Sequence, residues 1–281
     1  SRTYRLAMAC TGEYAQRVGG TVESVLENIA VVIDQTNLVF NTELGVRFSV
    51  VPETENLIFL DGDSDPYIES NNSITIVNNN INVFPRFIDN SAYDIGHTLA
   101  DCLGRGGVLG TARIGSLCRT SDKMVGASCF SSSNLTSNIL RIFAHELGHQ
   151  FNANHSWNNC QASIGQLSFS TAFEPGAGTT IMSYSGGCPG QNLQSTSDPY
   201  FHVGSLEEML PYMESGERAS CGIIENTNNE PPIVRLPYNN NFFIPISTPF
   251  ELIAIAEDIN GDNLTYCWEQ YDLDPSTTEL G

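Results

Sequence analysis

Three of the chain's five histidines fall in the run His145-Glu146-Leu147-Gly148-His149-Gln150-Phe151-Asn152-Ala153-Asn154-His155, at positions i, i+4 and i+10. With 3.6 residues per helical turn, His145 and His149 lie one turn apart on one face, where both imidazoles reach a single ion. Glu146 sits one residue round and reaches past such an ion towards water bound on it. On a continuing helix His155 would point elsewhere, so a shared centre requires the chain to turn sharply near Asn152. The H-E-x-x-H element alone arises often by chance, and a further histidine at a fixed offset makes coincidence much rarer.

A second stretch lies downstream, Glu174-Pro175-Gly176-Ala177-Gly178-Thr179-Thr180-Ile181-Met182-Ser183-Tyr184-Ser185-Gly186. The two together resemble the metzincin zinc metallopeptidases, whose pattern is H-E-x-x-H-x-x-G-x-x-H followed by a methionine-containing turn. Asn152 stands where that pattern has glycine, and asparagine is the residue that next most readily takes the left-handed backbone glycine supplies. With Tyr4-Arg5-Leu6-Ala7-Met8-Ala9, Tyr93-Asp94-Ile95-Gly96-His97 and Ser197-Asp198-Pro199-Tyr200-Phe201-His202, residues 1 to 220 resemble the bacterial branch of the reprolysin-like (adamalysin-type) peptidases. Ser156 follows the third histidine, where snake-venom reprolysins carry aspartate and matrixins serine.

The resemblance implies an α/β (α+β) metzincin-like catalytic domain: a twisted, mostly parallel sheet with an antiparallel edge strand, a long active-site helix and a loop-rich lower subdomain. It implies Zn2+ on His145, His149 and His155, with Glu146 as general base towards zinc-bound water and Met182 as an apolar floor. Tyr184 matches a position where some metzincins carry a tyrosine that swings to zinc or to the oxyanion; simple packing is the alternative. The glycine-rich edge Gly107, Val108, Leu109, Gly110 and Thr111 is implied to pair with extended substrate, against a bulged edge that binds nothing. Cys118 with Cys221 would tie the upper sheet to the end of the domain. Cys160 with Cys188 would brace the lower half of the cleft.

Composition narrows the function classes. The chain has 281 residues, with 12 Lys and Arg against 32 Asp and Glu and a net charge of -20, a surface that repels nucleic acid and anionic membranes. Such a surface attracts cations, and Ca2+ is the leading structural candidate. Candidate positions are Asp61, Asp63 and Asp65, then Asp94, then Asp258, Asn260 and Asp262, although turn chemistry explains the first and last groups and Arg5 stands where the reprolysin-like site has an acid. Eight cysteines without a C-x-x-C pair point to disulfides in an oxidising, extracellular compartment, with free buried cysteines as the alternative. No apolar run reaches the roughly 18 residues of a membrane span. No basic segment followed by an apolar stretch opens the chain, as expected of a mature secreted enzyme whose leader has been removed.

Along the chain, Tyr4 to Ala9 alternates like a strand and Thr21 to Leu44 carries apolar residues at helical spacing. Val46 to Val51 and Leu57 to Leu60 read as short strands, Ile74 to Phe87 as a second helix. The catalytic helix is expected to start near Thr136 or Ser137, run through Ile139, Ile142, Phe143 and Leu147, and end near Asn152. A last helix is expected from Ser205 to Met213 with a Ser205–Glu208 capping box. Residues 1–224 are thus read as the catalytic domain and the polar, proline-ended 225–232 as a linker. Residues 233–281 are read as the start of an immunoglobulin- or cadherin-like β module, a partial β-sandwich with strands at Ile244 to Ile246, Phe250 to Ala256 and Leu264 to Tyr271. His97 and His202 are expected to make structural hydrogen bonds.

The leading expectation is a secreted, monomeric zinc endopeptidase acting on extended protein or peptide. A non-proteolytic binding or adhesion module on the same scaffold, and a zinc amidase, are the alternatives. A carboxylate-binding arginine in a blind pocket would favour an exopeptidase or amidase.

Overall fold

The structure is a computed structural model that describes residues 1–67, 72–102, 108–130, 139–238 and 243–273. It divides into two units, Ser1–Ile224 with the segment from Gln270, and Glu225–Glu269.

The first unit opens on β1 (Arg2–Cys10). This strand pairs in parallel with β2 (Val46–Val50) and with β3 (Ile95–Ala100), and β3 pairs in parallel with β5 (Gly126–Cys129). The edge strand β4 (Gly110–Ala112) runs antiparallel on β5, giving the order β2-β1-β3-β5-β4, with β6 (Ile223–Ile224) added to the start of β1. Alternation along β1 sends Tyr4, Leu6, Met8 and Cys10 into one core and Ala7 and Ala9 into another, as a sheet covered on both faces requires. The first core is filled by α2 (Val22–Leu44) and by the helix that carries the histidines; the second is covered by α3 (Ser73–Phe87). A short α1 (Gly12–Arg17) follows β1.

Helix α2 begins at a reciprocal capping box between Thr21 and Ser24 and ends on Gly45, whose φ of 63° is the left-handed stop that glycine makes cheaply. Its Phe40 ring is the hub of the first core, 5.0 Å from Phe48, 5.4 Å from Phe151 and 5.2 Å from Phe201. Phe151 closes the histidine helix, so this cluster clamps the end of that helix to the sheet. Rings meeting edge to face contribute about 0.5–1.5 kcal/mol each beyond burial.

The run Leu57–Leu60 forms no strand. Pro52–Leu57 close into a 3-10 helix with proline in its first turn, and a single bridge from Cys10 to Ile58 remains. Proline's fixed φ and missing N–H favour a helical start, which takes the residues a strand would use. The last helix, here α5 (Val203–Met213), starts ahead of Ser205, because the His202 side chain caps it by accepting from Gly204 N at 3.1 Å. Glu208 is then free of the capping box and serves elsewhere. The expected start of the catalytic helix, Thr136 or Ser137, and the edge residue Gly107 lie outside the described residues.

The second unit holds β7 (Ile233–Arg235) antiparallel to β8 (Ile255–Glu257). Ile244 to Ile246 and the described residues of Leu264 to Tyr271 form no strand. Asp258 Oδ1 accepts from Asn260 N at 2.8 Å and Asp262 N at 3.1 Å, ordinary turn chemistry.

Candidate metal centre

A π-helical turn over Ile139–Ala144 leads into α4 (His145–Gln150), with Ala144 still in right-handed helical conformation at the join. Such π turns recur at functional sites because they re-aim the residues on either side. The helix stops at Phe151, and Asn152 takes φ 83°, the left-handed bend that the spacing of His155 demands. Ligand nitrogens of His145, His149 and His155 all lie within 4.8 Å of one another.

Each ring is aimed from behind. His145 Nδ1 faces Ile181 O at 2.7 Å, His149 Nδ1 faces Ala153 O at 2.7 Å, and His155 Nδ1 faces Gln166 O at 2.8 Å. Carbonyl oxygens only accept, so each Nδ1 carries its proton and each Nε2 presents a lone pair. His149 Nε2 and His155 Nε2 stand 3.1 Å apart. Two lone pairs at that distance repel unless a cation lies between them. Zinc–nitrogen bonds of about 2.0–2.1 Å in a tetrahedron separate neighbouring donors by about 3.3 Å, so the donor set fits zinc. Burial first, then the neighbouring imidazole of His155, lowers the His145 pKa to about 3; burial lowers His149 and His155 likewise. The rings are neutral at physiological pH, the state that ligates metal.

Glu146 is buried beside the triad, and its Oε2 has no hydrogen-bond partner among the described residues. Burial pushes its carboxyl well above the ordinary range. It lies under β4, in a cleft of about 820 Å3 lined also by Val108 to Ala112, the three histidines, Gln166 and Tyr184. On the opposite side of α4, Met182 is fully buried, and a carbon on Gly148 would lie 2.4 Å from its sulfur. Glycine at that position lets the methionine turn press against the helix backbone. Tyr184 packs its ring 4.7 Å from His155 and 5.2 Å from Trp157, and its hydroxyl donates to Gln166 Oε1.

Three supports were not evident from the motif. The Glu208 carboxylate on α5 accepts from Asn154 N at 2.7 Å and Asn154 Nδ2 at 2.6 Å, fixing the residue before His155. Buried Glu174 accepts from Ser156 Oγ at 2.5 Å, Thr179 N at 2.6 Å, Thr180 N at 3.0 Å and the Thr180 hydroxyl, joining the residue after His155 to the approach to Met182. Gln150 Oε1 accepts from His97 Nδ1 at 3.1 Å, and its amide donates to Gly96 O and Lys123 O at 3.2 Å, anchoring α4 to β3. His97 completes its pair with Ser128 Oγ at 2.9 Å.

Disulfides join Cys118 to Cys221, Cys160 to Cys188 and Cys102 to Cys129, the last not expected from the motifs. Cys10 is free and buried in the first core. Three of the acids named as calcium candidates accept hydrogen bonds from the protein itself. Asp94 accepts from Arg5 N at 2.8 Å and pairs with its guanidinium at 2.7 Å. Asp61 and Asp65 accept from Asp63 N at 3.1 Å and Gly12 N at 2.7 Å. Among the described residues the histidine triad is the only cluster of three or more His, Cys, Asp or Glu side chains able to share an ion. No described helix is long and apolar enough to cross a membrane.

No curated protein matches the chain. One solved structure, described as "Structure of a chaperone-substrate complex", aligns with TM-score 0.43 and 14% identity over 72% of this chain and 32% of that one, so this chain spans about a third of its length. The profile of the family described as "Metallo-peptidase family M12B Reprolysin-like" matches residues 1–210, three quarters of the chain. The chain therefore belongs to the M12B reprolysin-like metallopeptidase family.

Proposed function

We propose that the protein is a secreted zinc endopeptidase that hydrolyses extended polypeptide, with His145, His149 and His155 as the metal ligands and Glu146 as the general base. The carrying observation is the convergence of three lone-pair nitrogens within 4.8 Å beside a buried carboxylate whose Oε2 has no partner. Held by these three imidazoles, zinc would supply a water of pKa about 7 and polarise the scissile carbonyl. Glu146 takes a proton from the attacking water and passes it to the leaving amine as the C–N bond breaks. Burial pushes the Glu146 carboxyl up, and the positive charge of a bound dication would oppose that shift and keep it ionised for this task.

The strand β4 ends the sheet with one side unpaired by any other strand of the described residues, and Val108 to Thr111 line the cleft. An extended peptide would add there as a further strand, its backbone supplying affinity independent of sequence. Tyr184 is a packing residue against His155 and Trp157, held by Gln166, and it stands near enough to the triad to meet substrate. Three disulfides support folding in an oxidising compartment.

The test is Glu146→Gln, loaded with zinc and assayed on casein. The variant is expected to bind one zinc per chain and lose roughly 10²–10⁴-fold of the wild-type rate. Undiminished cleavage would contradict the assigned base, and absence of cleavage by zinc-loaded wild type would contradict the peptidase reading.

A further inference from the structure

Arg141 is the one lysine or arginine among the described residues lining the cleft, and Glu146 is the one carboxylate. It lies four residues ahead of His145 on the same helical run, about 6 Å along the axis at 1.5 Å per residue. The side chain is half-buried. Its guanidinium rests against the chain that follows Met182: a carbon on Gly186, where φ is 73°, would come within 3.3 Å of Nη1. Ser183, Tyr184, Ser185 and Gly187 form the same wall.

Among the described residues no carboxylate pairs with Arg141, in a chain where 32 acids compete for 12 cations. Arg5, Arg17, Arg113 and Arg119 stand in ion pairs, and Arg141 differs from the remaining described cations in lying in the cleft. Partly desolvating a guanidinium without a counter-charge is unfavourable, and the cost is recovered when a carboxylate arrives in the cleft. We propose that Arg141 selects a substrate carboxylate close to the scissile bond, so that the enzyme prefers peptides acidic at that place. The inference rests on the peptidase reading of the same cleft. A guanidinium presents two parallel N–H donors that match a carboxylate's two oxygens. The chain's net charge of -20 repels an acidic peptide from afar, but that field is screened over about 8 Å at physiological ionic strength, whereas a pair formed inside the cleft is screened much less. The carboxylate comes either from an Asp or Glu side chain or from the peptide's own C-terminus.

The experiment compares kcat/KM for peptides carrying Glu, Gln, Leu or Lys at each position flanking the cleaved bond, made both as C-terminal amides and as free acids. Zinc-loaded wild type, Arg141→Lys and Arg141→Glu are each scored by their own Glu-to-Gln ratio. Wild type is expected to favour Glu about ten- to a hundred-fold, the range of charge-assisted hydrogen bonds. Arg141→Lys should keep the direction of preference with a smaller ratio, and Arg141→Glu should reverse it in favour of Lys. Preference seen in the amides assigns an acidic side chain; preference confined to the free acids assigns the C-terminus. Cleavage with a ratio near one in wild type, or a ratio unchanged in Arg141→Glu, overturns the proposal and leaves the peptidase reading standing. No cleavage of any peptide by wild type removes both. Ratios within one variant are insensitive to its folded fraction, and if Arg141→Glu does not fold, the Arg141→Lys ratio decides.

Discussion

Gly110 and Glu146 occupy one another's space: a side-chain carbon on Gly110 would lie 2.1 Å from Glu146 Oε1 and 2.7 Å from its carboxyl carbon. The edge strand and the carboxylate are therefore in contact through the one residue type that leaves room. Any methyl group there must displace either β4 or the carboxylate.

Gly110→Ala is accordingly expected to lower kcat on peptide substrates by roughly 10²-fold, the loss that follows a displacement of about 1 Å at a catalytic group. Zinc stoichiometry should stay at one, because the atoms nearest a carbon at Gly110 belong to Glu146 and not to a metal ligand. Steady-state kinetics with metal analysis on the same sample checks both; wild-type kcat in this variant would contradict the contact.

Glu208→Ala is expected to weaken zinc binding about 10- to 100-fold, as loss of groups that orient metal ligands commonly does. The carboxylate holds Asn154 by two hydrogen bonds, and Asn154 precedes His155. Asn154→Ala, which keeps the backbone bond, should weaken it less. Competition with a chelating indicator reads both affinities; equal zinc affinity in wild type and Glu208→Ala would show that His155 needs no such support.

Much of this arrangement was legible in the sequence because it is local. The triad's spacing, the left-handed Asn152 and the amphipathic α2 each depend on residues close together in the chain. Glu208, Glu174 and Gln150 act on partners 54, 18 and 53 residues away, and no short-range pattern marks such a pair. The Ser205–Glu208 spacing even suggested a capping box, a local interaction that lost to His202 at the helix start and to Asn154 across the fold. Leu57 to Leu60 misled for a related reason, since strand propensity there yields to the proline-led turn before it.

Acid should destabilise the fold through His97. This ring is fully buried between Gln150 and Ser128, and burial lowers its pKa from 6.5 to about 4. The unfolded chain therefore binds the proton more readily, and stability is lost as pH falls from 6.5 towards 4. The shift corresponds to about 3 kcal/mol once both limits are passed. Chemical denaturation of wild type and His97→Gln across this window should show the difference in unfolding free energy shrinking as pH drops. A difference that stays constant would contradict a neutral, buried His97.

X-ray absorption at the zinc edge of the zinc-loaded protein reads the coordination shell of the histidine triad itself. Three histidine nitrogens at about 2.0–2.1 Å are expected, completed by oxygen, with one nitrogen lost in His155→Ala. A shell containing sulfur, fewer than three imidazoles, or a spectrum unchanged by His155→Ala would contradict the metal centre proposed for this protein.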